Sequence, residues 1–529
     1  MLDQPADRPS RKQEIGNLVG LRPNAAIQIR ISTPRVPRGG PVNRRSQLAS
    51  GCFLDLGRRL DTQSLCEAIL AGSPASKELA LQYLIYHVSR LEAVPERPFG
   101  RMTKPIFGVI ADDLTGGMET AAMLIAAGID CGFVTEPDLV ASLGDPPAIV
   151  VAQKTRVIPA DRAVAKTERA ARALLARGAR QIFFKYCATF DSTDRGNIGP
   201  VSDLLMQLSG AEYTAFCPAS PALRRTVYNG HLFLGTELIS ESPKRNDPLT
   251  PMTDPDLVRV LQRQTQNKVG LLAHPLLGAG LDPLKRAIAE ETARGVRYFI
   301  ADTIYDRDLA TLAALTSDWK LMTGNATIVQ HYPEIWKARG LIPTAKTPPS
   351  LPAVGGAGVV LAGSCAERTL EQLAEFEKCH PVLRIDLLKA DGVESAVAAA
   401  LDWARPRLEN GPVGIATSES HDAVNLAQQR YGREGAAQLA EGILGRLAVS
   451  LRSAGVRRFV VAGGETSGSI VDHLGIRRLR VGPYGGPGIG TAVTDEDDPV
   501  ALCLKSGKLG PVDLFATTLQ SMLHPEGIN

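Results

Sequence analysis

Two adjacent acids, Asp112 and Asp113, sit where an apolar run gives way to a helical stretch, in Ala111-Asp112-Asp113-Leu114-Thr115-Gly116-Gly117. In open α/β sheets ligands bind beyond the carboxyl ends of the strands, so acids placed there point into a crevice. A carboxylate in that position can accept hydrogen bonds from sugar hydroxyls or take a hydroxyl proton as a general base. Either acid could also cap the following helix, but one cap requires only one acid. Two other segments end strands in the same way. Lys154-Thr155-Arg156 is one, and Lys185-Tyr186-Cys187 is the other, running on into Phe190-Asp191-Ser192-Thr193-Asp194-Arg195-Gly196-Asn197. Cations beside acids and hydroxyls suit a small polyhydroxy carboxylate, with Arg or Lys clamping the carboxylate and Asp, Ser, Thr and Asn reading the hydroxyls.

The second half of the chain offers a different chemistry. Val460-Val461-Ala462-Gly463-Gly464-Glu465-Thr466-Ser467-Gly468 reads as strand, glycine turn and helix start. Glycines allow close backbone approach, and the free N–H groups of a helix N-terminus favour an anion such as a phosphate. Ala362-Gly363-Ser364-Cys365 and Lys505-Ser506-Gly507-Lys508-Leu509-Gly510 supply similar surfaces. None of the three is a Walker loop or a G-x-G-x-x-G fingerprint. The eight histidines show no H-x-x-H or H-E-x-x-H spacing, and the G-x-S-x-G of a serine hydrolase is missing.

The elements that must carry these residues alternate between short apolar runs and helical stretches, the mark of an α/β domain. In the first lobe strands are expected at 106–111, 148–152, 181–187, 269–273, 298–302 and 320–323, with helices at 118–127 and 161–177. A hairpin is expected around Asn229-Gly230. Residues 343–357 contain four prolines, too many for an element interior, and read as a linker. A second α/β series follows, with strands at 359–362, 382–385, 413–416 and 459–462 and a helix at 436–454. The expected fold is therefore two α/β domains with an inter-domain cleft, preceded by a largely disordered N-terminal extension. The boundaries are 1–101 for the extension, 102–342 and 358–529 for the domains, and 343–357 for the linker.

Composition narrows the function classes. No run approaches the roughly 18 consecutive apolar residues of a membrane helix, so no membrane partner is expected. The net charge of +3 belongs to residues 1–101, which hold 15 Lys and Arg against 9 Asp and Glu. The first sixty residues read as disordered, and one amphipathic helix is expected at 76–91. A nucleic-acid arm would need aromatic or motif support there, and none exists. The eight cysteines form no C-x-x-C pair, which argues against a zinc ribbon or a disulfide scaffold and points to a reducing, cytoplasmic compartment.

From Phe107 to Phe515 the chain resembles the four-carbon acid sugar kinase family. The matching motifs are ADDLTGG (111–117), KTR (154–156), FKYCATFDSTDRGNIGP (184–200), FCPASP (216–221), GSC (363–365), GGETSG (463–468) and LKSGKLG (504–510). The segments RTVYNGHLF (225–233) and NDPLTPMTDPDLVRVLQRQT (246–265) are similar to the branch that phosphorylates 3-oxo-tetronates at O4. The resemblance implies a sugar-acid-binding domain followed by a nucleotide-binding domain, ATP as phosphoryl donor with Mg2+ bridging its phosphates, and a small sugar-acid substrate. It places ATP contacts at Ser364, at Gly463, Gly464, Glu465, Thr466 and Ser467, and at Gly507. Substrate contacts fall at Arg156, Lys185, Asp191, Ser192, Thr193, Arg195 and Asn197, with Asp112 or Asp113 acting on the C4 hydroxyl and the lobes closing about the linker. A homodimer stays open. So do a threonate or erythronate kinase of the same family and a non-catalytic sugar-acid sensor. Departures at Arg224, at Asn325 and at 484–490 bear on the choice. A nicotinamide oxidoreductase would need an acid about twenty residues past the glycine turn, and 478–486 has none.

Overall fold

The computed structural model describes residues 105–247, 249–342, 350–417 and 421–525. The expected disordered extension, the helix at 76–91 and the first half of the linker lie outside the described residues. The strands are β1 (Phe107–Ala111), β2 (Cys131–Val134), β3 (Ala148–Ala152), β4 (Gln181–Lys185), β5 (Thr214–Cys217), β6 (Arg225–Tyr228), β7 (His231–Leu234), β8 (Glu237–Leu238), β9 (Lys268–Leu272), β10 (Val296–Ala301), β11 (Leu321–Gly324), β12 (Ala357–Ala362), β13 (Val382–Arg384), β14 (Val413–Ala416), β15 (Val456–Ala462), β16 (Arg478–Val481), β17 (Ile489–Thr494) and β18 (Ala501–Lys505).

Both α/β domains are present. In the first, β1, β3 and β4 are parallel neighbours with β1 in the middle, and every residue of all three is buried. Helices cover both faces of such a sheet, which is why these strands are apolar throughout and do not alternate. In the second, β12, β15 and β18 are parallel neighbours with β15 in the middle. Each central strand therefore ends between two others, and the loops that leave them meet at the carboxyl edge.

Three structural features were not visible in the pattern of apolar runs. Strands β16, β17 and β18 pair antiparallel, and β16 pairs antiparallel with β2 of the first domain. One sheet thus runs through both domains, in the order β13-β14-β12-β15-β18-β17-β16-β2-β3-β1-β4-β11-β5-β10-β9 among the described residues. The lobes are joined edge to edge and not by the linker alone, which corrects the expectation of a simple hinge at 343–357. The first helix starts at Leu114, four residues before the expected Met118, because Asp113 caps it. Beside the main sheet, β6, β7 and β8 form a small antiparallel sheet. Its hairpin turn is the expected Asn229-Gly230, with φ of 48° and 74°, the double left-handed conformation of a two-residue hairpin. Among the described residues no helix is long and apolar enough to cross a membrane.

Candidate functional site

The ends of β1, β3 and β4 bring Asp112, Asp113, Arg156 and Lys185 together. Asp112 is buried and accepts from Arg156 at both oxygens, Nε to Oδ2 at 2.8 Å and Nη2 to Oδ1 at 2.8 Å. Asp113 Oδ1 accepts from Lys185 Nζ at 2.7 Å and from the same Arg156 Nη2. Its other oxygen accepts the Gly116 N–H at 3.2 Å, so the residue caps the helix Leu114–Ala126. A β-carbon at Gly116 would lie 1.5 Å from Lys185 Nζ; only glycine lets the lysine cross the first turn. Two acids thus neutralise two cations, and of the acids only Asp113 borders the cleft.

Burial alone would raise the Asp113 pKa, but Arg156, Lys185 and the Gly116 N–H outweigh it and hold the carboxyl well below its ordinary range. A carboxyl whose folded pKa is depressed contributes stability above the ordinary value of about 3.9 and loses it as pH falls through the lowered value. The urea midpoint of Asp113→Ala should therefore approach that of the wild type as pH drops below about 4. A gap independent of pH would remove this carboxylate from the acid-stability ledger.

The loop after β4 divides the expected substrate residues. Phe190 and Asp191 adopt left-handed backbone angles, φ 63° and 39°, uncommon for residues of these types. That reversal keeps Asp191 in the cleft, where Oδ1 accepts from Lys244 at 2.6 Å and from Thr189 Oγ1 at 2.8 Å. It turns Ser192, Thr193 and Arg195 away, so these three do not meet Arg156 and Lys185 as expected. They line a separate cavity of about 240 Å3 with Met252 and Asp254. Asn197 is also not at the cleft. It is buried and donates to the carbonyls of Thr155, Arg156 and Ile158, fixing the loop that carries Arg156.

Three cleft cations were not on the expected set: Lys244, Arg225 and, on the opposite wall, Lys508. Lys244 is engaged by Asp191 and by Asp247 at 2.9 Å. Arg225 donates to the Leu223 carbonyl at 2.6 Å and pairs with no carboxylate among the described residues. Burial pulls its guanidinium below the usual value, the state of a cation short of counter-charge. RTVYNGHLF contains Arg225, but its place in the cleft depends on how the hairpin packs, which spacing does not show.

On the other wall the three glycine turns converge. Gly363 and Ser364 donate backbone N–H groups to the Ala462 carbonyl, and Gly463 donates to that of Lys505. The helix Gly464–His473 starts here without a side-chain cap, and its first three residues, Gly464, Glu465 and Thr466, border the cleft. Ser364, Gly463, Gly464, Glu465, Thr466 and Gly507 all border that space. Ser467 does not: it is buried, and its hydroxyl donates to the Gly463 carbonyl at 2.6 Å, bracing the turn. Lys505 is a strut as well, donating to Thr369, Gln372 and the Gly507 carbonyl. Lys508, in the same motif, lines the cleft and has no carboxylate partner among the described residues.

Both walls enclose one cleft of about 450 Å3. Lys154 of the first domain reaches Glu441 at 3.1 Å and Glu465 at 3.7 Å, and Glu119 accepts the Gly488 N–H at 3.0 Å. A β-carbon at Gly490 would come within 2.7 Å of Met118 Cβ, so the walls touch closely. Among the described residues no three His, Cys, Asp or Glu side chains form a metal nest.

Residues 107–332 match the family described as sugar-binding N-terminal domain, and residues 359–515 match the nucleotide-binding C-terminal domain. A Burkholderia multivorans protein named 3-oxo-tetronate kinase is 44% identical over 421 residues, covering 79% of this chain and 98% of that protein. A Haemophilus influenzae protein of the same name is 34% identical over 412 residues, covering 78% and 98%. Among solved structures, a Salmonella typhimurium LT2 protein described as a putative tRNA synthase superposes with a TM-score of 0.68 at 33% identity, covering 78% of this chain and 98% of that one. A Haemophilus influenzae protein from a domain family of unassigned function gives 0.62 at 33% identity, covering 79% and 100%.

Proposed function

Because the chain belongs to the four-carbon acid sugar kinase family, we propose that it transfers the γ-phosphoryl group of ATP to a 3-oxo-tetronate, giving the 4-phosphate. The supporting observation is the single cleft in which a charged sugar-acid wall faces three glycine turns. The residues fit a nucleotide phosphate chain in kind, with backbone N–H groups, a hydroxyl and a lysine on one wall, and a β-carbon at Gly507 would fall 2.0 Å from Ser364 Oγ, so glycine there lets two of the turns approach closely. The N–H groups that begin the helix Gly464–His473, Ser364 and the backbone at Gly507 would hold the phosphates, with Lys508 as their cation. Mg2+, bound with ATP, would supply further charge neutralisation to the phosphates on this wall.

Arg156 and Lys185 are already neutralised by Asp112 and Asp113, which leaves Arg225 as the clamp for the substrate carboxylate. Asp113 keeps its charge but is a weak base, so it orients the acceptor hydroxyl. That is enough for a transfer whose catalysis is mainly positioning and charge stabilisation. Residues 102–342 and 358–529 would be the sugar-acid and nucleotide domains, working in the cytoplasm where ATP is held.

A coupled ADP-release assay against 3-oxo-tetronates and the D and L forms of threonate and erythronate tests the reading. Turnover should be highest on a 3-oxo-tetronate. Higher turnover on threonate or erythronate would move the substrate, and no turnover on any of them would leave a binding protein. Arg225→Met should raise the sugar-acid KM by about 10- to 100-fold, the loss of one charge-assisted contact, and leave the ATP KM unchanged. An unchanged sugar-acid KM would exclude Arg225 as the clamp.

A further inference from the structure

Four carboxylates border the cleft: Asp113, Glu119, Asp191 and Glu465. Three have cationic partners. Asp113 is held by Arg156 and Lys185, Asp191 by Lys244, and Glu465 faces Lys154. Glu119 differs. Its Oε1 accepts the Gly488 N–H at 3.0 Å, and its Oε2 accepts no hydrogen bond among the described residues.

Its position is as informative as its free oxygen. Glu119 lies three and four residues after Gly116 and Thr115 on one helix, so the three share a face, and all three border the cleft. Through Gly488 it touches the other wall. The Gly488 carbonyl in turn accepts the Ser506 N–H at 2.8 Å, at the start of the turn assigned above to the phosphates. Glu119 therefore stands on the sugar-acid helix at the junction of the two walls, where the acceptor hydroxyl must meet the γ-phosphorus.

We propose that Glu119 is the proton acceptor of the phosphoryl transfer, its Oε2 taking the proton from the sugar-acid hydroxyl; this rests on the kinase reading above. The hydroxyl oxygen forms the new bond to the γ-phosphorus. The bond between that phosphorus and the bridging oxygen of ATP breaks with its electron pair going to ADP. The proton passes to Glu119 and leaves to solvent when product departs.

The surroundings agree with that role. Burial raises the Glu119 carboxyl above its ordinary range, and Asp113 adds to the rise, while the Gly488 N–H and Lys185 oppose it. The other group facing it is Tyr484 of the second domain, whose hydroxyl burial and the Glu119 charge push up to about 12, so it stays neutral. Asp113 and Asp191 are held in the opposite direction by their cations, and burial raises Glu465 as it raises Glu119. Geometry separates the two raised carboxyls: Glu465 faces Lys154, whereas Glu119 stands at the junction of the walls with Oε2 unengaged among the described residues.

Glu119→Gln in the full chain is the test, because the amide oxygen still accepts the Gly488 N–H while the proton acceptor is lost. Its kcat should fall about 100-fold, at the lower end for general-base loss, with both KM values within about threefold of wild type. Wild-type kcat should fall on the acid side with an apparent pKa above the ordinary carboxylate range. That limb should vanish in Glu119→Gln and return in Glu119→Asp at a lower rate. An active wild type with Glu119→Gln equally fast and equally pH-dependent overturns the assignment alone. A wild type that releases no ADP with any four-carbon acid overturns the kinase reading and this assignment with it.

Discussion

Asp112→Asn should cost the fold about 3–5 kcal/mol, the penalty for removing one partner of a buried ion pair. Asp112 accepts both arms of the Arg156 fork, and the four groups at the ends of β1, β3 and β4 balance as two acids against two cations. With asparagine in place, Arg156 loses a bidentate acceptor and Asp113 alone faces two cations. Water cannot compensate, since the Asp112 and Lys185 side chains are only 5% and 4% exposed. Turnover should fall too, because Arg156 and Lys185 would recentre on Asp113 and pull it from the acceptor hydroxyl. Arg156→Lys with Asp112 intact should lower both properties as well, as an ammonium cannot fill both acceptor positions of the fork. Equilibrium urea unfolding measures the loss. A change under about 1 kcal/mol would mean that the quartet is solvated in solution and that burial does not set its energetics.

The quartet was legible because its members sit at fixed offsets from strand ends. ADDLTGG, KTR and FKYC each follow an apolar run, and the parallel pairing of β1 with β3 and β4 brings three such ends side by side. The glycine turns were legible for the same reason through β12, β15 and β18. What spacing could not show is any side chain whose place depends on backbone reversal or on packing between distant segments. Ser192, Thr193 and Arg195 follow Asp191 by one to four residues, yet the left-handed angles at Phe190 and Asp191 turn them into another cavity. Arg225 and Lys244 reach the cleft through a hairpin and a loop that fold back over it. Glu119 reads in sequence as one polar residue on a helix; its role depends on Gly488, 369 positions away. The strand pairing that joins the lobes was hidden because β16 and β17 flank a Gly- and Pro-rich stretch, 482–488, which lacks the composition of a strand.

Gly507→Val should raise the ATP KM about 100-fold, or about 2.7 kcal/mol of lost binding, with the sugar-acid KM and the folded state unchanged. Backbone strain is not the cause, since Gly507 is outside the positive-φ glycines and accepts a side chain conformationally. Space is the cause. The first added carbon would sit 2.0 Å from Ser364 Oγ and 3.4 Å from Ala366 Cβ, at the point where the turns after β12 and β18 approach each other. Ser364 Oγ also accepts the Ala366 N–H at 3.3 Å, so rotating it aside breaks a contact of its own turn. The two turns would have to spread, and a phosphate chain held by both, as proposed above, would lose one of them. The effect should be non-additive with Ser364→Ala: deleting the hydroxyl removes the 2.0 Å clash and leaves the smaller one with the residue 364 β-carbon at 2.9 Å, so Gly507→Ala combined with Ser364→Ala should bind ATP more tightly than the product of the single effects allows. Isothermal titration with ATP measures all four corners of that cycle. Additive losses would show that Gly507 and Ser364 act on the nucleotide independently, and an unchanged ATP affinity in Gly507→Val would place the phosphates elsewhere in the cleft.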